Sequence, residues 1–503
     1  MNLQLISKKG GALLFLLFLL TACHQAQLPE SYAEKAVLPA IYPDYVGVTV
    51  PVNMAPLHFQ LAKDADEVVT RLRAGNEEVV LGGRQVCPDA DQWQALVGQA
   101  LNDSITVDMF VREADQWVHY QPFAIYVSPD SIDPWLTYRL ISPSYVTYEE
   151  LTLNQRCLES YEERVIYDNM LCSTEKDGQC INCHHSQLNN PHRTQFHARQ
   201  NLGCTMLNID GKLTKVNLKT DSTLSAGVYP AWHPHQNLIA YSTNMTLQSF
   251  HTRNTDKIEV LDSQSDLILY DPETNEVFNV ENDTTEFETF PCWSPDGQWL
   301  YYCSAHFEFR DTVPHTSECI LRYKDIRYNV YRKHFDEQTR SFGPREMVFP
   351  ADSLGLSATL PRISPDGRWL LLAVGEWGTF HIWHRDADLY IADLQTEKIR
   401  PFDEVNSNEV ESYHTWSSNG RWIVFSSRRD DGNYTRPFFA HVDKDGHATK
   451  PFELPSDDPN YHRELMKSYN VPEFLRGPVD VSPQAFADAL RKDAVRANYK
   501  GRK

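Results

Sequence analysis

The sequence feature that most constrains the fold is a turn that recurs four times in the second half of the chain. The four copies lie at 229–236, 290–297, 360–367 and 414–420, and two of them contain Ser-Pro-Asp-Gly in full. Corresponding positions are 232, 293, 363 and 416, so the unit recurs every 53 to 70 residues. Each turn is followed by an apolar segment of strand type, as in 299–302 and 369–372. A repeat of this kind predicts one structural unit used several times.

The chemistry of the turn indicates what that unit is. Proline presets φ for a tight turn, and Asp and Gly tolerate its final positions. Strand, turn, strand, strand and turn make one four-stranded blade, and blades that recur in series predict a β-propeller. The units resemble TolB-type propeller repeats. Four blades are explicit, and 208–216, with its Asp-Gly turn, leaves the blade count open.

The repeat is longer than the usual 40 to 45 residues of a propeller blade. Extra segments follow the second strand of three units, at 243–265, 304–328 and 374–387. Insertions at one position in successive blades emerge on one face of the ring. We therefore expect the propeller to act as a docking scaffold.

A second motif predicts a cofactor. Cys180, Cys183 and His184 form a C-x-x-C-H, the spacing of c-type haem attachment, in which two thiols bind the macrocycle and the histidine binds iron. A zinc site would need a second pair of ligands at similar spacing, and the sequence has no second C-x-x-C. A thioredoxin-like motif would need an alternating α/β pattern, which is also missing. The motif predicts one covalent haem c, with His184 as the proximal iron ligand.

The distal iron ligand is less constrained. His197 is the first candidate and Met206 the second, since both follow the motif closely. A five-coordinate iron, or a ligand from a distant part of the chain, remains an alternative because spacing alone does not fix a ligand that the fold supplies. Arg199 is a candidate partner for a haem propionate, because a guanidinium matches a carboxylate; the alternative is an ordinary surface arginine.

The N-terminus predicts export. Two lysines and a short apolar run precede Leu20-Thr21-Ala22-Cys23, and the apolar run is too short to span a bilayer. This tetrapeptide resembles the lipobox of bacterial lipoproteins, in which Cys23 is acylated; the alternative is an ordinary signal peptide cleaved after Ala22. We expect a lipid-anchored protein of the cell envelope, at the outer membrane. Export and covalent haem support each other, because haem c is attached outside the cytoplasm.

Composition excludes one class of partner. The net charge is −21, which disfavours nucleic-acid binding because phosphates require a basic surface. No later apolar run has the length of a membrane span, so the predicted membrane contact is the lipid anchor. A redox protein or another envelope protein is the expected partner.

The pattern along the chain predicts a mainly β protein with six segments. They are a signal peptide (1–22), a lipid-anchored tether (23–40), an N-terminal β-sandwich-like domain (41–132), a helical haem c-binding segment (133–206), a TolB-like β-propeller (207–455) and a C-terminal helical tail (456–503).

The exported portion as a whole resembles a family of Bacteroidetes lipoproteins that combine one C-x-x-C-H motif with a TolB-like propeller. The segments that carry the resemblance are 180–184, 196–199, 228–234 and 468–474. The resemblance implies this architecture and haem binding, and it implies no particular reaction.

Three functions are compatible with these features. The first is electron transfer or redox sensing in the cell envelope, with the propeller as docking scaffold. The second is a haem enzyme, a reductase or a peroxidase, that acts at an open iron site. The third is a TolB-like binding protein for envelope components in which the haem is structural. Whether the protein is an enzyme stays open at this point.

Overall fold

The computed structural model describes residues 26–142, 150–174, 177–252, 256–310 and 312–502. Strands account for 49% and helices for 10% of the described residues, so the prediction of a mainly β protein is confirmed. Cys23 and the predicted signal peptide lie outside the described residues.

The N-terminal domain consists of two sheets and one helix. The strand order of the larger sheet is β1-β9-β8-β10-β3, with β5 and β6 beside β8, and the smaller sheet is β2-β4-β7. The strands are β1 (Ala33–Lys35), β2 (Ile41–Tyr42), β3 (Thr49–Pro51), β4 (Phe59–Leu61), β5 (Val68–Ala74), β6 (Glu77–Gly82), β7 (Gln85–Val86), β8 (Ser104–Glu113), β9 (Gln116–Tyr120) and β10 (Phe123–Ser128), and the helix is α1 (Ala90–Gln99).

The predicted tether at 23–40 is in part a strand of this domain. Strand β1 pairs in parallel with β9, with Ala33 opposite Val118. Lys35 Nζ donates to Glu113 Oε1 at 2.9 Å and to the Tyr120 hydroxyl at 3.1 Å. The segment is polar because it forms an exposed sheet edge, where charged side chains are common. A polar edge strand has the same sequence pattern as a linker, so this strand was not predicted from the sequence.

Six antiparallel four-stranded units, here called sheets, make up most of the remaining chain, and one parallel bridge between Ser265 and Phe287 joins the third and fourth into a single larger sheet. In chain order the strands are, for the first sheet, β11 (Trp135–Ile141), β12 (Leu151–Cys157) and β13 (Glu163–Asp168); for the second, β14 (Gln179–Ser186), β15 (Arg193–Gln200), β16 (Cys204–Ile209) and β17 (Lys212–Asn217); for the third, β18 (Val228–Trp232), β19 (Ile239–Phe250), β20 (Ile258–Asp271) and β21 (Glu276–Glu281).

The last three sheets continue the same pattern. Their strands are, for the fourth, β22 (Glu286–Trp293), β23 (Trp299–His306), β24 (Asn329–Asp336) and β25 (Ser341–Phe349); for the fifth, β26 (Ser357–Ile363), β27 (Trp369–Gly375), β28 (Asp388–Asp393) and β29 (Lys398–Pro401); for the sixth, β30 (Glu411–Trp416), β31 (Trp422–Ser427), β32 (Arg436–His441) and β33 (Phe452–Glu453). A short helix, α2 (His315–Leu321), precedes β24.

The C-terminal segment returns to sheets formed much earlier in the chain. It contains the short helices α3 (Tyr461–Glu464) and α4 (Pro483–Leu490), and also the strands β34 (Ser468–Leu475), β35 (Val495–Arg496) and β36 (Asn498–Arg502). Strand β34 completes the first sheet beside β11, whereas β35 and β36 add parallel edges to the second and third sheets. The prediction of a helical tail at 456–503 is therefore correct for its two helices and wrong for the strands.

One edge strand from each sheet lies beside the corresponding strand of the next sheet, and together these six strands form a closed cycle. We call each of them the first strand of its sheet. In order they are β34, β14, β18, β22, β26 and β30, and β30 contacts β34 again. We call this arrangement the six-sheet ring. Its closure depends on β34, which joins residues at the C-terminus to strand β11, more than 300 positions earlier.

The structure corrects the predicted helical segment at 133–206. Apart from 3₁₀ turns, the regular structure of its described part is strand, and these strands belong to the first and second sheets. The predicted boundary after residue 206 falls inside strand β16. The first two sheets lack the Ser-Pro-Asp-Gly turn, so the repeat that revealed the later sheets gave no signal for these two.

The repeated turn has the structure that its residues predict. In the fourth sheet, the Ser294 hydroxyl donates to Asp296 and accepts from the backbone N–H of Trp299, while Gly297 has φ of 74°. The fifth and sixth sheets repeat these contacts. Since only a residue without Cβ adopts this φ readily, the glycine follows from the turn.

We predict that closure of the ring depends on the packing of β34. Phe474 is 1% exposed and lies in the core shared with Phe439, at a ring distance of 6.0 Å. Replacing Phe474 with alanine should lower the free energy of unfolding by about 3 kcal/mol or more, because it leaves a cavity in a packed core. Urea denaturation measures this. Met466→Ala, at a residue 69% exposed, serves as the control, and an equal loss in both variants would contradict the prediction.

Candidate functional site

The C-x-x-C-H motif lies on β14, the first strand of the second sheet. Cys180 pairs with Arg199, and Asn182 pairs with His197. The register then slips, so that His185 faces Gln195 across the extra residue. Cys183 lies at this bulge with φ of 51°, in the left-handed region. The motif is therefore part of a strand with a bulge, and not of a helix.

The same bulge occurs in every first strand of the six-sheet ring. Each of these strands slips in register at this place and contains one non-glycine residue with φ between 46° and 54°. These left-handed residues are Cys183, Tyr229, Phe290, Leu360, Tyr413 and Val471. In four strands a proline follows; His184 and His414 follow in the other two.

A left-handed conformation is costly for a residue with a side chain, by about 1–2 kcal/mol. Its recurrence in six strands shows that the ring requires it, since such strain persists only where the surroundings enforce it. Cys183 and His184 thus lie at a bulge that every sheet of the ring contains.

The bulges place all six left-handed side chains around one cavity of ≈ 250 Å³ on the ring axis. We call it the axial cavity. Cys180 and His184 also line it, so the structure brings together the three residues of the predicted attachment site. Aromatic side chains form much of its wall; Tyr229 and Phe290, for example, have ring centroids 4.4 Å apart.

The axial cavity is strongly cationic. Four arginines line it, against a single carboxylate, that of Glu473; the arginines are Arg139, Arg199, Arg362 and Arg428. Arg199, the predicted propionate partner, is one of these four, and the other three were not predicted from the sequence.

Arg139 and Arg362 are held by neutral hydrogen-bond acceptors. Arg139 donates to the carbonyl of Ile181 at 2.9 Å and to Asn470 Oδ1 at 2.7 Å. Arg362 donates to the carbonyl of Pro361. Within the described ranges, neither of these arginines nor Arg199 forms an ion pair. Their charge is thus available to an anion in the cavity.

His184 has the properties of a metal ligand. It is 6% exposed, and its Nε2 has no hydrogen-bond partner in the part of the chain that the structure describes. Burial lowers the pKa of His184 to about 4, so the imidazole is neutral at physiological pH. A neutral imidazole with a free ring nitrogen is the form that binds iron.

The two thiols are reduced and lie in the same cavity. Cys180 is buried, and all described cysteines are free. Burial raises the pKa of the Cys183 thiol, although Arg199 and Arg139 oppose this shift. At neutral pH Cys183 is therefore a thiol and not a thiolate in the folded protein.

The predicted distal ligands do not lie in the axial cavity. His184 borders a void that it shares with Phe196. His197 is the next residue in the same strand, so it points to the opposite face of the sheet. Met206 pairs with Phe196 and is 0% exposed, so Phe196 lies between it and β14. Neither His197 nor Met206 lines the axial cavity, so the structure does not bring either predicted distal ligand into that cavity with His184.

The other histidine of the axial cavity is His185. Its Nδ1 lies 2.5 Å from Glu473 Oε1, a carboxylate 5% exposed. Burial opposes ionisation of Glu473, but the charge and hydrogen bond of His185 together hold its pKa below the ordinary value. This pair was missed from sequence because 288 residues separate its members.

The same pair borders a second cavity of ≈ 390 Å³ on the axis. His185, Arg362 and Glu473 line both cavities, so they form the partition between them. Tryptophans from the third, fourth and sixth sheets line the second cavity: Trp232, Trp293 and Trp416.

The described residues do not form a metal site from protein ligands alone. Across the described ranges, no group of three or more His, Cys, Asp or Glu side chains is arranged to hold a metal ion. A haem does not need such a group, because the macrocycle supplies four iron ligands and the protein one or two.

Comparisons with known proteins leave the family open. No family model and no curated protein sequence matches the chain. Among solved structures, the Kuenenia stuttgartiensis hydrazine synthase matches at 13% identity over 54% of this chain and 61% of that one, with a TM-score of 0.30. A puromycin-hydrolysing peptidase of Mycobacterium tuberculosis matches at 12% identity over 84% and 57%, with a TM-score of 0.35.

A third structure, the GH74 enzyme of Niastella koreensis, matches at 10% identity over 68% of this chain and 46% of that one, with a TM-score of 0.35. The chain thus spans less than two thirds of the length of each of these structures. TM-scores of this size support no conclusion about shared activity.

We predict a pH dependence of stability from His197. Burial, reinforced by the charge of Arg199, lowers the pKa of His197 to about 3. The unfolded chain binds a proton near pH 6.5, whereas the folded protein excludes it until about pH 3, so stability falls as the pH drops through this window. By pH 5 the loss from this residue is about 2 kcal/mol.

Denaturation at pH 7 and pH 5 tests this prediction. His197→Gln should decline less between the two pH values than the unchanged protein, whatever its stability at pH 7. His192→Gln, at an exposed histidine, is the matched control. A pH dependence that is unchanged in His197→Gln would show that the residue does not titrate in this way.

Proposed function

We propose that the chain is an exported c-type haem protein that holds one haem c in the axial cavity. Cys180 and Cys183 provide the covalent attachment, and His184 binds the iron. The role that fits best is electron transfer or redox sensing in the cell envelope. The observation that supports it is that two free thiols and an unpartnered, neutral imidazole share one cavity.

The remaining lining suits this cofactor. The aromatic wall offers apolar contact to a macrocycle, and the arginines offer guanidinium groups to its two propionates. When bound, a haem c supplies an iron that takes up and releases one electron. The chain itself contributes the surroundings that set the potential: a buried site, the axial imidazole and an excess of positive charge.

The six-sheet ring is best interpreted as a six-bladed, TolB-like β-propeller, with β34 closing its first blade. Under this proposal the ring is the haem-binding domain itself, and its outer faces remain available for docking a redox or envelope partner. A separate helical haem module is not part of the proposal.

A second function is favoured by one observation. The axial cavity is lined by no methionine, and its only histidine besides His184 is His185, which is hydrogen-bonded to Glu473. An iron held by His184 would then have an open coordination position. This favours binding of an exogenous ligand, and hence a haem enzyme of the reductase or peroxidase class.

Envelope localisation is a further part of the proposal. It depends on the N-terminal signal and on acylation of Cys23. Among the described residues no helix has the length and apolar character needed to cross a bilayer. An anchor at Cys23 would account for membrane attachment.

Haem attachment is tested by expressing the protein with a c-type maturation system. We expect a haem band that survives denaturing electrophoresis. Cys180→Ala and Cys183→Ala should each weaken it strongly, and the double variant should abolish it. Cys87→Ala, outside the cavity, is the control. Absence of a covalent haem in the unchanged protein would refute the proposal.

Iron ligation is tested by spectra of the purified haem protein. His184→Ala should change the ferric and ferrous spectra, because it removes the proximal ligand. His197→Ala should leave them unchanged, because its side chain does not line the axial cavity. A spectrum that changes to high spin in His197→Ala would restore that residue as distal ligand and contradict the assignment made from the structure.

A further inference from the structure

Three insertions of the ring meet beside one end of the axial cavity. They are the segments 243–265, 304–328 and 374–387. The first contains most of the long hairpin of β19 and β20, and the third is the loop between β27 and β28. Both of these contribute to the lining of the cavity, through Gln248 and Ile258 of the hairpin and Phe380, Ile382 and Trp383 of the loop. We call the three insertions the cap.

The cavity opens to solvent beside the cap. Among the described residues that line it, only Arg199, Thr246 and Gln248 are exposed, and the last two belong to the hairpin. The other described lining residues are buried or half-buried. The hairpin therefore lies at the entrance to the cavity.

A buried carboxylate joins the hairpin to the loop of the fifth sheet. Glu259 on β20 is 2% exposed. Its Oε1 accepts a hydrogen bond from His384 Nε2 at 3.3 Å, and its Oε2 accepts one from Trp377 Nε1 at 3.1 Å. The backbone N–H of Arg385 donates to Asp256 Oδ1 at 3.2 Å, which joins the same two insertions again. We call Glu259, Trp377 and His384 the latch.

The remaining insertion is held at the same place. Gly378 has φ of 76°, and a Cβ there would lie 3.0 Å from the imidazole and 3.3 Å from the carboxylate of the latch. The N–H of Gly378 donates to the carbonyl of Ile326 at 2.8 Å. Lys324 Nζ lies 4.1 Å from the ring centroid of Trp377, a cation–π contact. All three insertions therefore meet at the latch.

The latch is separate from the ligand site. None of its three residues lines the axial cavity, so each can be replaced without changing the lining. Among the described residues, the hairpin and the loop are joined by side chains and not by paired strands. Loss of a few bonds can therefore separate them while the sheets stay intact, as in other local openings of native proteins.

We propose that the cap limits the axial cavity to small molecules and that Glu259 is the positioning residue that keeps the cap closed. This inference rests on the proposed function, because the position behind the cap is the open coordination position of a haem bound at His184. It goes further by stating which ligands reach that position. Diatomic and similarly small molecules pass the closed cap, whereas bulkier molecules require it to open.

Carbon monoxide and tert-butyl isocyanide, two neutral ligands of ferrous haem that differ in size, test this limit by stopped-flow spectroscopy. Glu259→Ala removes both side-chain bonds of the latch, so the association rate of the isocyanide should rise about tenfold or more, as expected for lost hydrogen bonds to a charged group. The association rate of carbon monoxide should change much less. Trp377→Phe removes one donor and keeps an aromatic ring, so it should raise the isocyanide rate by a smaller factor, and it carries the test if Glu259→Ala does not fold.

Asp108→Ala is the matched control. The carboxylate of Asp108 is also 2% exposed and also has a histidine partner, His119, whose Nε2 lies 3.2 Å away. Because this pair belongs to the N-terminal domain, neither association rate should change in the control.

Hydrogen exchange of the full-length protein gives a readout that does not depend on the iron. In the latch variants, amides of 246–250 and 377–385 should exchange faster than in the unchanged protein, while those of β34 stay protected. Isocyanide rates that are unchanged in both latch variants, or cap amides that exchange no faster, would overturn the inference and leave the haem proposal intact. A protein that carries no haem would instead refute the proposed function and the inference with it.

Discussion

The pairing of β34 with β11 is the interaction on which the rest of the structure depends. It joins a strand near the C-terminus to the first strand of the ring segment and completes the first sheet. Without it the first strands of the second and sixth sheets would have no neighbour between them, and the axial cavity would lose a wall. The thiols of the second sheet and Tyr413 of the sixth thus line one cavity because β34 pairs with β11.

The repeated bulge explains how an ordinary haem-attachment motif is compatible with a strand. Each first strand already contains a left-handed residue that turns its side chain to the axis. In the second sheet this residue is Cys183, and His184 takes the place that proline takes in four others. The backbone conformation of the motif is therefore the one found in every first strand. Only the side chains at this cavity-facing position differ.

The parts of the fold that could be predicted from the sequence are those that a few neighbouring residues determine. The Ser-Pro-Asp-Gly turns and their strands were predictable because a few neighbouring residues determine them. The first two sheets were not, since they lack that turn, and their polar and aromatic residues were compatible with helices. The C-x-x-C-H motif gave Cys180, Cys183 and His184 by spacing alone. Arg139, Arg362, Tyr413 and Glu473 reach the same cavity only through pairings between distant strands, so no local pattern contained them.

Closure by a late strand also has a consequence for the order of events in assembly. The wall that seals Cys180 and Cys183 into the interior includes residues of β34, which are synthesised after every other residue that lines the cavity. Until they arrive, the ring has a gap next to the second sheet, and the motif faces that gap. Under the proposed function, a haem could be attached through this gap before β34 pairs with β11 and completes the first sheet. Under the proposed function, the order in which the strands are synthesised would thus place cofactor attachment before completion of the fold.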